Sequence, residues 1–239
     1  MKKQKGKIFI IPTPVSADLF NDSLTTLLIR VIQSLDLFIV EELKTARRFL
    51  RKAGYDRNFD EVTFFVLNEH STADQLPGML IPIEKGRNAG LLSEAGMPCI
   101  ADPGSSLVAL AHRQQIEVTP LPGPNSITLA LAASGLNGQN FAFHGYLPVD
   151  KKARDNKIKE LEKISNDTGQ TQIFMEAPYR NLKLAEAITR VCHRTTLLCI
   201  ASHITAEDEF IRTMPVSEWT GNLPSIHKKP TIFLIGKEQ

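Results

Sequence analysis

At 239 residues the chain has room for one large domain or two of about 120 residues. Its composition, 42% hydrophobic and 23% charged with 14 Gly and 14 Pro, is that of a globular protein with a sizeable core, without a low-complexity tract. A formal net charge of +2 is too mild to announce a nucleic-acid binder, so any basic footprint has to be local.

Residues 7–11, Lys-Ile-Phe-Ile-Ile, form a β-rich run without polar alternation, which suits a strand of a parallel sheet buried on both faces. Pro12-Thr13-Pro14 is an extended exit that cannot continue a ladder. Asp22 or Ser23 is placed to cap a helix whose apolar face is Leu24, Leu27, Leu28, Val31 and Ile32. Residues 37–40 make the next strand, which delivers Glu41 and Glu42 to its carboxyl end, and the strand–helix–strand order predicts a right-handed parallel crossover. No G-x-G-x-x-G follows the first strand, so a nicotinamide-type fingerprint is absent. A helix is predicted over 44–53, closed by Gly54. On it Lys44, Arg48 and Lys52 lie four apart on one face, with Arg47 and Arg51 beside them. Such a face is either solvated surface or a place to receive a phosphate backbone. Residues 69–78 are polar and turn-rich, hence a loop, and Leu80-Ile81-Pro82-Ile83 is a further apolar piece.

Turn chemistry then repeats three times between Ala89 and Ser126. Apolar runs at 91–92, 99–101 and 118–121 end in SEAGMP at 93–98, DPGS at 102–105 and PGPNS at 122–126, each with Gly or Pro and followed by a helix-start residue. One such turn is ordinary loop punctuation. Three within forty residues are how an α/β protein builds a ligand crevice outside the carboxyl ends of its strands. Ser105 or Ser106 is expected to cap a helix packing Leu107, Val108, Leu110 and Ala111, and the stiff Pro120-Leu121-Pro122 marks a domain boundary, giving domains 1–119 and 120–239. Asn125 or Ser126 is expected to cap a helix over 127–134, stopped by Gly135. Strands at 141–143, 173–175, 196–201 and 231–235, with helices at 150–163 and 182–192, make the second half α/β as well.

Cys99, Cys192 and Cys199 are scattered in apolar surroundings and suit buried thiols of a reducing compartment. The six histidines form no metal-ligand spacing with them, and no metal is expected. Met1-Lys2-Lys3 is basic, but the apolar run behind it is too short for a secretory signal, and no segment approaches a membrane span. A soluble, cytoplasmic protein is expected.

The wording of the turns adds what periodicity does not. SEAGMP at 93–98, ADPGSSLV at 101–108, PLPGPNS at 120–126, ASGL at 133–136, GYLP at 145–148, Pro14 and MEAPYR at 175–180 resemble the tetrapyrrole methylase superfamily of S-adenosylmethionine-dependent methyltransferases. The likeness is nearest to the branch that methylates a ribose 2′-hydroxyl of small-subunit ribosomal RNA. It implies two α/β domains with the cofactor in the cleft between them, a homodimer, and S-adenosylmethionine held by Ser93, Glu94, Ala95, Gly96, Asn125, Ser126, Met175, His203, Ile204 and Thr231. On the acceptor side it points to Glu42 and Lys44 as catalytic residues and to Arg47, Arg48 and Arg51 as RNA contacts, with ribosomal RNA or the small subunit as partner. The chain departs from the RNA branch on that side: Glu41-Glu42-Leu43-Lys44 replaces an acidic pair followed by Thr-Arg. Ser16-Ala17 stands where Gly-Asn is usual, and Ser202-His203-Ile204-Thr205-Ala206 replaces Arg-Glu-Leu-Thr-Lys. A tetrapyrrole carbon as acceptor, or a cofactor-binding module without acceptor chemistry, therefore stays open.

Overall fold

The computed structural model describes residues 4–18, 20 and 22–238, so the basic Met1-Lys2-Lys3 start lies outside the described residues. The chain divides into two compact units, Met1–Asn125 and Ser126–Gln239. The division falls at Asn125 and not at 119/120. Strand pairing runs on past Pro120, the Leu121 N–H donates to Ile10 O at 3.0 Å, and the Leu121 side chain is buried in the first unit's core.

The first unit is a parallel five-stranded sheet built from β1 (Lys7–Ile11), β2 (Leu37–Val40), β3 (Thr63–Val66), β4 (Ala89–Leu92) and β5 (Glu117–Pro120), in the order β3-β2-β4-β1-β5. The helices are α1 (Thr26–Ser34), α2 (Leu43–Lys52), α3 (Leu76–Glu84) and α4 (Ser105–Arg113). Strand β2 shows why its sequence lacks polar alternation. Phe38 and Val40 pack with Leu28, Ile32, Ala46 and Leu50 of α1 and α2, while Leu37 and Ile39 pack with Leu80, Ile83, Leu107 and Ala111 of α3 and α4. Both faces are covered, as a parallel sheet requires. The predicted crossover from β1 to β2 is parallel, but β4 is inserted between the two strands.

The second unit is a mixed sheet of β6 (Phe141–Tyr146), β7 (Thr171–Met175), β8 (Leu197–Ser202), β9 (Phe210–Pro215) and β10 (Thr231–Gly236), in the order β6-β7-β10-β8-β9. Strand β10 runs antiparallel to both neighbours, and all six of its residues are buried. Its Phe233 and Ile235 meet Ile158 and Leu161 of α6 (Lys151–Thr168) and Leu184 and Ile188 of α7 (Asn181–Val191). Ile232 and Leu234 meet Ile127, Ala130 and Leu131 of α5 (Ser126–Ser134). A short helix, α8 (Val216–Trp219), buries Trp219, whose indole N–H donates to Leu198 O at 2.9 Å.

Several sequence expectations need correction. Thr25 caps α1, its hydroxyl accepting from the Leu28 N–H at 3.1 Å. Leu24 precedes the helix and Leu27 is 46% exposed, which leaves Leu28 and Ile32 as the buried positions. The polar segment 69–78, expected to be a loop, and the apolar piece after it contain a 3₁₀ turn (Ala73–Gln75) and α3. That helix was masked by a proline in its first turn and by Pro82 inside it, yet it buries Leu76, Met79, Leu80 and Ile83. Gly104, not Ser105 or Ser106, occupies the N-cap of α4, whose buried residues are Leu107 and Ala111. The run 99–101 is no strand but part of a long irregular connection from β4 to α4, in which Cys99 and Ala101 have positive φ. Strands β3 and β9 and helix α8 were not anticipated. β3 and β9 are edge strands, where part-exposed residues blur the pattern.

Candidate functional site

In the first unit the carboxyl ends of β2, β4, β1 and β5 lie side by side, and the backbone ties their exits together. Thr13 and Gly96 form an isolated antiparallel bridge: the Thr13 N–H donates to Gly96 O at 2.9 Å, and the Gly96 N–H to Thr13 O at 3.0 Å. Gly96 holds φ at +78°, a conformation that disfavours side chains, and Pro124 O lies 4.0 Å from where its Cβ would be. Gly123 is required for space, since a Cβ there would sit 2.2 Å from Pro12 Cγ. The SEAGMP and PGPNS turns and the Pro12-Thr13-Pro14 exit are thus one cluster.

The strand β2 exit joins it through charge. Glu41 is half-buried and its Oε2 accepts from the Glu94 N–H at 3.2 Å. Glu42, one residue on, is exposed and caps α2, its two carboxylate oxygens accepting from the Lys44 N–H at 2.8 Å and the Thr45 N–H at 2.6 Å. Those bonds hold its carboxyl below the ordinary value, with the backbone N–H groups as the main cause. Glu42 therefore caps the helix, with both carboxylate oxygens engaged by backbone N–H groups. Lys44 is exposed in the same first turn. Glu41 behaves in the opposite way: burial pushes its carboxyl up, opposed by the Glu94 N–H and reinforced by the charges of Glu94 and Glu69.

Asp102, in the DPGS turn, is a functional candidate that its sequence context does not single out. Burial raises it to about 6, the nearby Ser93 hydroxyl pulls the other way, and the charges of Glu41 and Glu94 add to the rise. A carboxyl titrating near neutrality is suited to proton transfer. Its signal in the sequence was an acid inside a Pro-Gly turn, which is equally the signature of a plain turn.

Beside this cluster a pocket of about 270 Å³ opens between the β1 exit, α2 and the β4 exit. Its apolar part is Val15, Phe20, Ala46, Phe49 and Leu92, and its polar part Thr13, Ser16, Thr45, Ser93 and Glu94, with Arg48 and Lys52 of α2 on one side. The three arginines expected to share a role divide here. Arg48 is exposed and lines the pocket. Arg47 stacks over Phe59 and Phe64, at 5.4 and 5.3 Å from the ring centroids. Arg51 lies 4.0 Å over Phe59 and donates to Tyr55 O at 2.6 Å. Arg47 and Arg51 thus brace the end of α2, and Lys52 is the cation that joins Arg48 at the pocket.

In the second unit the expected site residues gather at one end of the sheet. Thr231 pairs with Ser202 and Ile232 with Met175, so the end of β7, the end of β8 and the start of β10 are adjacent. His203 follows β8 with φ +53°, its N–H donates to Pro230 O at 2.8 Å, and its Nδ1 is paired with Asp208. Lys229 Nζ holds the other oxygen of Asp208 at 2.7 Å, and the two partners, Lys229 first, hold that carboxyl below its ordinary value. Ile204 is buried in the cluster that includes Ile127, with Met175 packed against it, which places the first turn of α5, and so Ser126, at this end. Thr231 Oγ1 is 2.9 Å from both Ser202 Oγ and Lys229 O, so its hydroxyl is engaged within the fold.

The comparisons with known proteins decide the family. Residues 20–220 match the model of the Tetrapyrrole (Corrin/Porphyrin) Methylases. The chain belongs to this family. It is 32% identical over 216 residues to a ribosomal RNA small subunit methyltransferase I of Escherichia coli O157:H7, covering 90% of this chain and 71% of that one. To the protein of the same name from Thermotoga maritima it is 29% identical, over 98% of this chain and all (100%) of that one. Among solved structures it resembles the methyltransferase CobJ, with a TM-score of 0.63 and 16% identity over 97% of this chain and 94% of that one. The cobalamin biosynthetic enzyme cobalt precorrin-4 methyltransferase CbiF matches at 0.60 and 16%, over 96% and 94%.

This methyltransferase uses S-adenosylmethionine as methyl donor. The first unit's residues fit such a group. The Ser93 hydroxyl is buried beside Asp102, and the carboxyls of Glu41, Glu94 and Asp102 make a setting suited to a cation. Among the described residues no helix is long and apolar enough to cross a membrane.

Proposed function

We propose that this methyltransferase transfers the methyl group to a ribose 2′-hydroxyl of small-subunit ribosomal RNA, working as a cytoplasmic homodimer. The observation that carries the reading is the 32% identity, over 90% of this chain, to a protein named as a small-subunit ribosomal RNA methyltransferase. The fold alone does not choose, because it is shared with enzymes of corrin assembly. The exposed Arg48 and the neighbouring Lys52 supply a local basic site that the mild net charge does not exclude.

Donor contacts are assigned to Ser93, Glu94, Ala95, Gly96 and Asn125 in the first unit, and to Ser126, Met175, His203, Ile204 and Thr231 in the second. When bound, S-adenosylmethionine supplies a methyl carbon to the acceptor oxygen while the carbon–sulfur bond pair returns to sulfur. A ribose hydroxyl is a weak nucleophile unless its proton has somewhere to go. We assign that proton to the carboxyl group of Glu41, Glu94 and Asp102, in place of Glu42. The experiment is transfer of labelled methyl from S-adenosylmethionine to purified small subunits from a strain lacking this protein. Incorporation into the RNA supports the reading. Incorporation into a tetrapyrrole precursor and not into RNA moves the corrin-type reading to first place.

A further inference from the structure

The first-unit pocket has a division of labour that the family assignment does not supply. Its volume of about 270 Å³ lies just under the roughly 300–1,000 Å³ of sites for drug-sized ligands, which is the scale of one nucleotide. Phe49 forms an apolar wall, and Phe20 packs edge-on against it at 5.9 Å between centroids. Lys52 Nζ lies 5.0 Å from the Phe20 ring centroid, and Arg48 stands one helical turn before it on α2. The other end is polar and acidic: Thr45 Oγ1 reaches Glu94 Oε1 at 3.4 Å, and Ser93 lines the pocket beside it.

From this juxtaposition we infer that the pocket receives a single everted nucleotide of the RNA substrate. Its base sits against Phe20 and Phe49, its phosphate on Arg48 and Lys52, and its ribose towards Thr45, Ser93 and Glu94. The polarity of the pocket fixes that orientation. A phosphate is repelled by the Glu94 carboxylate and held by the two cations, whereas ribose hydroxyls find acceptors and donors at the acidic end. Enzymes that must reach a buried nucleotide extrude it into such a pocket, and aromatic side chains hold the base without demanding its identity. The orientation also brings the ribose to the β4 exit, where the donor contacts of this unit are assigned. The inference rests on the RNA reading given above.

The test uses the four ribonucleoside monophosphates and the matching nucleosides as probes, titrated against the full chain by calorimetry. The monophosphates should bind roughly tenfold or more tightly than the nucleosides, since two charge-assisted contacts are added. The Arg48→Ala, Lys52→Ala double variant should lose that difference, and Phe20→Leu should weaken both classes roughly fivefold or more. Affinity for S-adenosylmethionine, measured on the same variants, should stay at the parent's value. In the labelled-methyl assay the variants should lose kcat/KM on small subunits in the same order. If the parent methylates small subunits and the variants keep its kcat/KM, the pocket assignment falls while the RNA reading stands. If the parent methylates no RNA, both fall together.

Discussion

The two units use similar lengths of chain for different ends, and their sheets show how. In the first, the strands are parallel, so all of their carboxyl ends open on one side, and the exits of four neighbouring strands can be tied into one cluster. In the second, β10 and β9 run antiparallel to β8, so strand exits alternate between the two ends of the sheet. Only a local group from β7, β8 and β10 then converges. A parallel sheet concentrates loops for chemistry. A mixed sheet around the fully buried β10 brings fewer exits together and gives more of its length to the core.

The largest effect that would test this contrast is in the second core. Trp219→Ala removes a fully buried ring and its bond to Leu198, and should cost about 3–5 kcal/mol in urea unfolding. Acceptor selectivity of the folded fraction should not change. A shift in selectivity would show that the second unit takes part in choosing the acceptor.

In the first unit the matching substitution acts on a turn. Gly96→Val forces a β-branched residue to φ +78° beside the Thr13 bridge, with about 1–3 kcal/mol of strain. Binding of S-adenosylmethionine should weaken, measured by calorimetry. Unchanged affinity would remove the β4 exit from the donor site.

Asp102 sharpens the comparison through pH. Its carboxyl is raised in the folded state, so the folded protein holds that proton more tightly than the unfolded chain does. Stability from this group is therefore complete below its ordinary value of 3.8, is lost as pH rises through about 6, and is flat above that. Asp102→Asn should make the protein more stable than the parent at neutral pH and leave the two alike near pH 3.8, by thermal unfolding at both values. Equal melting at every pH would mean that the acidic cluster exerts no such strain.

The smallest effect is expected at Glu42. Loss of a general base costs about 10²–10⁴ in rate, so Glu42→Gln should lower kcat by less than roughly tenfold if the residue is only a cap. A larger fall, without loss of helix stability, would return it to the catalytic group.

The sequence carried the parts of this molecule that local chemistry decides. Uninterrupted apolar runs marked the strands buried on both faces, and Gly, Pro and Asp marked the exits around 93–98 and 122–126. It did not carry what tertiary packing decides. Glu41 and Glu42 differ by one residue of phase, and only the turn into α2 shows that the first points to Glu94 while the second caps the helix. Arg47, Arg48 and Arg51 look alike in a string. Phe59 and Phe64, brought in by the chain after the helix, claim two of them. Helix α3 was hidden by its prolines, and Asp102 by sitting in a turn that would carry an Asp for structural reasons alone.

The most direct measurement is the position of the methyl group itself. Small subunits methylated in vitro by this protein, digested to nucleosides and fragmented in a mass spectrometer, should carry the added methyl on a ribose fragment of one nucleoside. A methyl on a base fragment, or no RNA methylation while a tetrapyrrole precursor is methylated, would contradict the account.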